Sequence, residues 1–147
     1  MAGKAEEEFR KLTVELRFLE QTAEAVKSRI NMVNAVITDL TYANRTLEGL
    51  EKEKNPELFV PIGGSSYIKT NLEDRDKVIV GMGAGVSVEK TWQEAKDIVK
   101  KRLEDLEKTM TSLQTQFADV AGKVNEDRNK LEALAAELRQ RKPPGNV

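Results

Sequence analysis

From Phe9 onward, apolar residues return along the chain at alternating steps of three and four. With Phe9 as heptad position a, the a series reads Phe9, Leu16, Ala23, Ile30, Ile37 and Asn44. The d series reads Leu12, Leu19, Val26, Val33, Leu40 and Leu47. Eleven of these twelve positions are apolar, a repeat long enough to predict a coiled-coil helix. It stops at "KNPE", where Pro56 cannot continue a helix and disfavours helical backbone at Asn55. A second run opens at "TWQE". There the Thr91 hydroxyl can cap free amides while Glu94 reaches back from three residues on. Its a series is Trp92, Val99, Leu106, Leu113, Val120, Asp127 and Leu134, and its d series passes through Leu103, Met110, Phe117, Val124, Leu131 and Leu138. Basic residues and then prolines, "RKPPGNV", end it as helices end.

Each run spans roughly 48 residues, on the order of 70 Å of helix. A strict 3.5 period demands a partner and a left-handed supercoil. Equal lengths around a compact connector predict that the two helices pair with each other, antiparallel. Asn44 and Asp127 are polar interruptions at a positions, the kind that fixes register.

Between the helices the period falls from 3.5 to 2. Leu58, Val60, Ile62, Ile68, Leu72, Val78, Val80, Met82, Val86 and Val88 all carry even numbers, so within each strand they share a face. Turn residues at 63–65, 74–76 and 83–85 divide the stretch into four short strands, hence two β-hairpins. The fold class is α+β, mainly α: a long antiparallel coiled-coil hairpin with two β-hairpins between its helices. The expected divisions of this single domain (1–147) are a helix over 5–54, a double hairpin over 57–90, a helix over 91–142 and a tail over 143–147.

The alternating glycines Gly81, Gly83 and Gly85 follow an apolar strand, which raises the question of phosphate binding. A dinucleotide fingerprint requires the glycine loop to open a helix. Here it runs into a second strand, and the sequence "GGSS" lacks the lysine of a P-loop. The glycines are read as turn residues that supply positive φ.

Isolated hairpins are marginal in water, and four short strands leave edges unpaired. Val78-Ile79-Val80 is apolar on both faces, as in a strand covered on two sides. Oligomerisation through the β segment follows, with Val60, Ile62, Ile68, Leu72, Val78, Val80, Met82, Val86 and Val88 as the candidate interface.

Composition narrows the chemistry. The chain of 147 residues has no cysteine and no histidine, which excludes disulfides, thiolate or imidazole metal sites and His-dependent catalysis. Its net charge of −1 gives no drive toward nucleic acid or anionic membrane. A single tryptophan, Trp92, in a near-neutral chain offers no basic groove with stacking aromatics. The start "MAGKAEEEFRKL" has no apolar run and does not read as a secretory signal. No stretch approaches the ~20 apolar residues that span a bilayer. The expectation is a soluble cytoplasmic protein that is not an enzyme and carries no cofactor.

The strand pair "LFVPIGGSSYIKTNL", followed by "DKVIVGMGAGVSVEKTWQEA" leading into the second helix, resembles the alpha-class subunit of prefoldin in its archaeal form. The similarity covers essentially the whole chain, and the double hairpin separates the alpha class from the single-hairpin beta class. That resemblance implies a hexamer of two alpha-class and four beta-class subunits whose hairpins close into β-barrels. It further implies ATP-independent capture of unfolded proteins at the coiled-coil tips and delivery to a group II chaperonin. A structural spacer or filament former without clients is the alternative.

If the hairpins form the hub, the helix ends are the tips. Val14 at heptad position f and Phe18 at c lie off the seam, one turn apart, next to Phe9 and Leu16. With Leu12, and with Leu131, Leu134 and Leu138 of the second helix, they make up the candidate client-binding set. Arg139, Arg141 and Lys142 form a basic cluster at the same end, a candidate for docking an acidic chaperonin surface.

Overall fold

The computed structural model describes residues 2–141. The chain is mainly helical, with helix α1 over Ala2–Lys52 and helix α2 over Trp92–Arg141. Between them lie strands β1 (Glu57–Gly63), β2 (Ser66–Asn71), β3 (Lys77–Gly83) and β4 (Val86–Thr91). The strands form two separate antiparallel hairpins, β1–β2 and β3–β4. Residues 35–108 make one compact unit, and the flanking stretches, up to Asn34 and from Thr109, make the other.

The helices end where local chemistry requires. The Thr91 hydroxyl accepts the Glu94 amide at 3.2 Å, capping one of the free N–H groups that open α2. At the close of α1, Asn55 takes a left-handed φ of 54°, a conformation asparagine tolerates better than most residues. Pro56 behind it is fully buried.

In the unit formed by the chain ends, the heptad positions face inward. Leu12, Val26 and Leu113 are buried, while Phe9, Leu16, Ile30, Phe117, Val124, Leu131 and Leu134 are half-buried. Exposed Glu and Lys surround them, so a two-helix seam is the whole core here. Arg128 donates to Glu20 across this seam at 2.8 Å.

In the central unit the two hairpins repeat one design twenty residues apart. Val60 pairs with Ile68 and Val80 with Val88, and each ladder slips by one residue before the turn, at Ile62 and at Met82. Both two-residue turns have positive φ at both positions: Gly64 and Ser65 in the first, Ala84 and Gly85 in the second. That is the geometry of the tight turn that matches strand twist, with an extra bulged residue beside it. A cross-strand ion pair recurs with its signs exchanged: Lys69 to Glu57 at 3.1 Å, and Lys77 to Glu89 at 3.7 Å.

The hairpins differ in what covers them. Val80 of β3 is 8% exposed and Ala95 of α2 is fully buried. Both line one groove together with Leu40, Leu47 and Val99. Arg102 donates to the Gly81 carbonyl at 2.8 Å and approaches the Met82 sulfur at 3.8 Å, fastening the bulge of β3 to α2. In the first hairpin Phe59, Val60, Ile62, Tyr67 and Ile68 are all exposed.

The root of this unit is tied by side chains that reach backbone carbonyls. Arg75 donates to the carbonyls of Leu50 at 2.8 Å and Glu51 at 3.3 Å, and also to that of Glu53. These groups have no partner within the helix, and a cation there also complements the helix dipole. Trp92 and the Lys96–Glu51 pair at 2.7 Å add two further ties.

Candidate functional site

Two groups of apolar side chains without a polar task stand out, one in each unit. In the unit of the chain ends, Val14 is 70% and Phe18 67% exposed. The α-helical repeat puts residues four apart on one face, so their side chains adjoin. Together with the stems of Arg10, Lys11 and Glu15 they line a shallow groove of about 530 Å³. Alkyl portions of long charged side chains commonly extend an apolar surface in this way. Such a groove offers dispersion and burial rather than directional bonds.

The other six candidates of this unit belong to the helix–helix seam. Leu12 is buried, and Phe9, Leu16, Leu131, Leu134 and Leu138 are half-buried. The structure thus divides the set into two solvent-facing residues and six already packed in the coiled coil. Met32, 70% exposed, is a further exposed apolar residue of α1. It shares heptad position c with Phe18, so the same off-seam rule finds it. Arg139 and Arg141 are exposed, and Arg141 bonds Glu137 one turn back at 2.6 Å. Lys142 lies outside the described residues.

In the central unit the even-numbered face proves uneven. Val60, Ile62, Ile68, Met82, Val86 and Val88 are exposed, Val78 is half-buried, and Val80 is covered from within the unit. Leu72 stands one residue beyond β2 rather than in it, and its amide donates to the Pro56 carbonyl at 3.4 Å. Phe59, Tyr67 and Ile79 are exposed on the odd-numbered face, so apolar surface occurs on both faces. Aromatic and β-branched side chains are at home on strands, and alternation alone does not reveal which of them stay uncovered.

The three alternating glycines have separate tasks. Gly83 and Gly85 take positive φ, while Gly81 sits within β3 opposite Ser87 and presents its carbonyl to Arg102. Neither site gathers nucleophile, base and oxyanion donor. Among the described residues, no helix is long and apolar enough to cross a membrane.

Comparison with known proteins finds the same architecture elsewhere. The family described as "Prefoldin subunit" matches residues 4–138. The prefoldin subunit alpha of Methanobrevibacter smithii is 33% identical over 134 residues, covering 88% of this chain and 91% of the relative. That of Methanococcoides burtonii is 38% identical over 114 residues, covering 77% and 83%. Among solved structures, a chain of the filamentous PFD from Methanocaldococcus jannaschii, solved by cryo-EM, superposes with a TM-score of 0.65 at 23% identity, over 78% of this chain and 95% of that one.

Proposed function

The chain belongs to the prefoldin family, with alpha subunits as its relatives, and from that premise we propose that it serves as one subunit of an ATP-independent holdase. In this reading the helix ends capture unfolded proteins and pass them to a group II chaperonin in the cytoplasm. The exposed strand residues join beta-class subunits, two alpha with four beta, in a closed β-barrel. The observation that carries the reading is the exposed Val14–Phe18 pair and the apolar groove it forms. Each such contact would contribute ~1–3 kcal/mol. Several subunits acting on one client multiply that through effective concentration, which suits brief capture of varied clients.

Light scattering tests it. A denaturant-unfolded protein is diluted into nucleotide-free buffer with the assembled complex or with an inert protein. Suppressed aggregation at near-stoichiometric complex is the expected result. Aggregation that proceeds as with the inert protein sinks the reading.

A second reading, a filament former without clients, draws on the likeness to a filamentous PFD chain and on the uncovered first hairpin. Rods formed by this chain alone, visible in electron micrographs, would favour it.

A further inference from the structure

Asp127 is the only buried polar or charged residue among those described, at 5% exposure. It occupies an a position of the α2 seam, and its Oδ2 has no hydrogen-bond partner. The adjacent Arg128 is turned to Glu20 and lies in solvent. Packing is also thin nearby. Ala23 stands at an a position of α1, and it lines a groove of about 610 Å³ with Ala121 and Val124.

We infer that Asp127 is the opening point of this unit: the seam separates there, and the segments 3–19 and 128–141 come apart toward the chain ends. The Asp127 Oδ2 is a buried acceptor without a donor, and such an atom carries a penalty that water removes as soon as the helices part. The opened state is therefore closer in free energy than an apolar residue at this position would leave it. Val26 and Leu113 on one side of Asp127 and Ala5 and Leu12 on the other are buried alike, so the direction of opening is set by where the helices end rather than by burial. On the side of Ala5 and Leu12 the helices run to their ends, where local opening is least costly.

Opening in this direction releases Phe9, Leu12, Leu16, Leu131, Leu134 and Leu138, adding them to the surface already offered by Val14 and Phe18. The consequence for clients rests on the holdase reading above; the opening itself does not.

The experiment is hydrogen exchange, read by mass spectrometry on the full chain in its assembled complex. It compares wild type with Asp127→Leu and Asp127→Asn. Asp127→Leu is expected to slow exchange in 3–19 and 128–141 on the order of tenfold, leaving 24–34 and 109–120 as they were. Asp127→Asn, which removes charge but keeps a polar group, should slow it less. Unchanged exchange in both variants would overturn the inference, as would equal slowing throughout the unit. Client capture is measured in parallel and should fall in Asp127→Leu. Slowed exchange with undiminished capture would leave the opening point standing and remove the seam residues from the client surface.

Discussion

The indole N–H of Trp92 donates to the carbonyl of Leu47 at 3.0 Å, binding the first turn of α2 to the last turns of α1. Trp92 is thus both a seam residue and a staple, since its ring fills an a position while its one polar atom finds a half-buried acceptor. Arg75 completes the closure on the end of α1.

Replacing Arg75 by alanine strips the last carbonyls of α1 of their donor. Bonds to charged groups contribute about 1.5–3 kcal/mol, reduced here because part of the site meets solvent. A loss of about 1–2 kcal/mol is expected, seen as a lower thermal midpoint. Arg75→Lys should recover only part of it, because an ammonium lacks the planar fork that spans several acceptors. Full recovery by lysine would show that charge alone suffices.

Arg102→Ala should loosen the hold of α2 on the second hairpin. The Gly81 carbonyl would lose its 2.8 Å donor, while Val80 would still pack near Ala95 and Val99. Faster amide exchange confined to β3 and β4 is the expected signature, with the first hairpin unaffected. Acceleration of both hairpins alike would mean that Arg102 supports the unit as a whole.

The periodicities of the sequence carry most of the architecture, for a physical reason. A 3.5 repeat can be buried only along a helix seam and a 2 repeat only on a strand face, so two long helices and two hairpins follow from residue order. Register and anchoring do not follow in this way. Arg75 reads as an ordinary turn residue between two aspartates, and its reach to the Leu50 carbonyl depends on where the chain returns 25 residues later. Ala95 is too small to register as a core residue, yet it is fully buried in the unit where the β3 backbone approaches α2. Val14 and Phe18 are legible as off-seam residues. The unequal cover of the two hairpins is not, because their apolar strand positions look alike until one of them meets a helix.

The left-handed turn residues give a prediction of opposite sign. Ala84 holds a φ of 53°, and nothing in its side chain offsets that strain. Glycine adopts this region freely, at the cost of greater freedom in the unfolded chain. Relief of ~1–2 kcal/mol set against ~0.4–1 kcal/mol leaves Ala84→Gly mildly stabilising. Gly85→Ala, at φ 75°, should destabilise. Paired denaturation curves check both, and a stabilised Gly85→Ala would contradict the turn assignment.

Docking through the basic end of α2 would be electrostatic and therefore sensitive to salt. Arg139 and Arg141 are exposed, where screening over ~8–10 Å dominates. Arg141 is already partly neutralised by Glu137, so Arg139→Glu should weaken chaperonin binding more than Arg141→Glu. Binding measured across a salt series should decline steadily for wild type and change little for the Arg139 variant. Affinity independent of salt would remove this cluster from the docking surface.

The most direct prediction concerns Val14 and Phe18. Serine at both positions removes most of the apolar surface from their groove. It leaves the seam intact, since both side chains face solvent from off-seam positions. Assembly and thermal midpoint should therefore be unchanged, while each lost contact costs ~1–3 kcal/mol of capture. Where several subunits hold one client, as proposed above, the losses multiply, and suppression of aggregation should fail even with complex in excess. Met32→Ser on the same helix separates two explanations. If it weakens capture as much as the double variant, clients lie along the outer face of α1. If it leaves capture intact, contact is confined to the terminal turns around Val14 and Phe18. Undiminished capture by the double serine variant would leave the seam residues, released by opening, as the surface that holds clients.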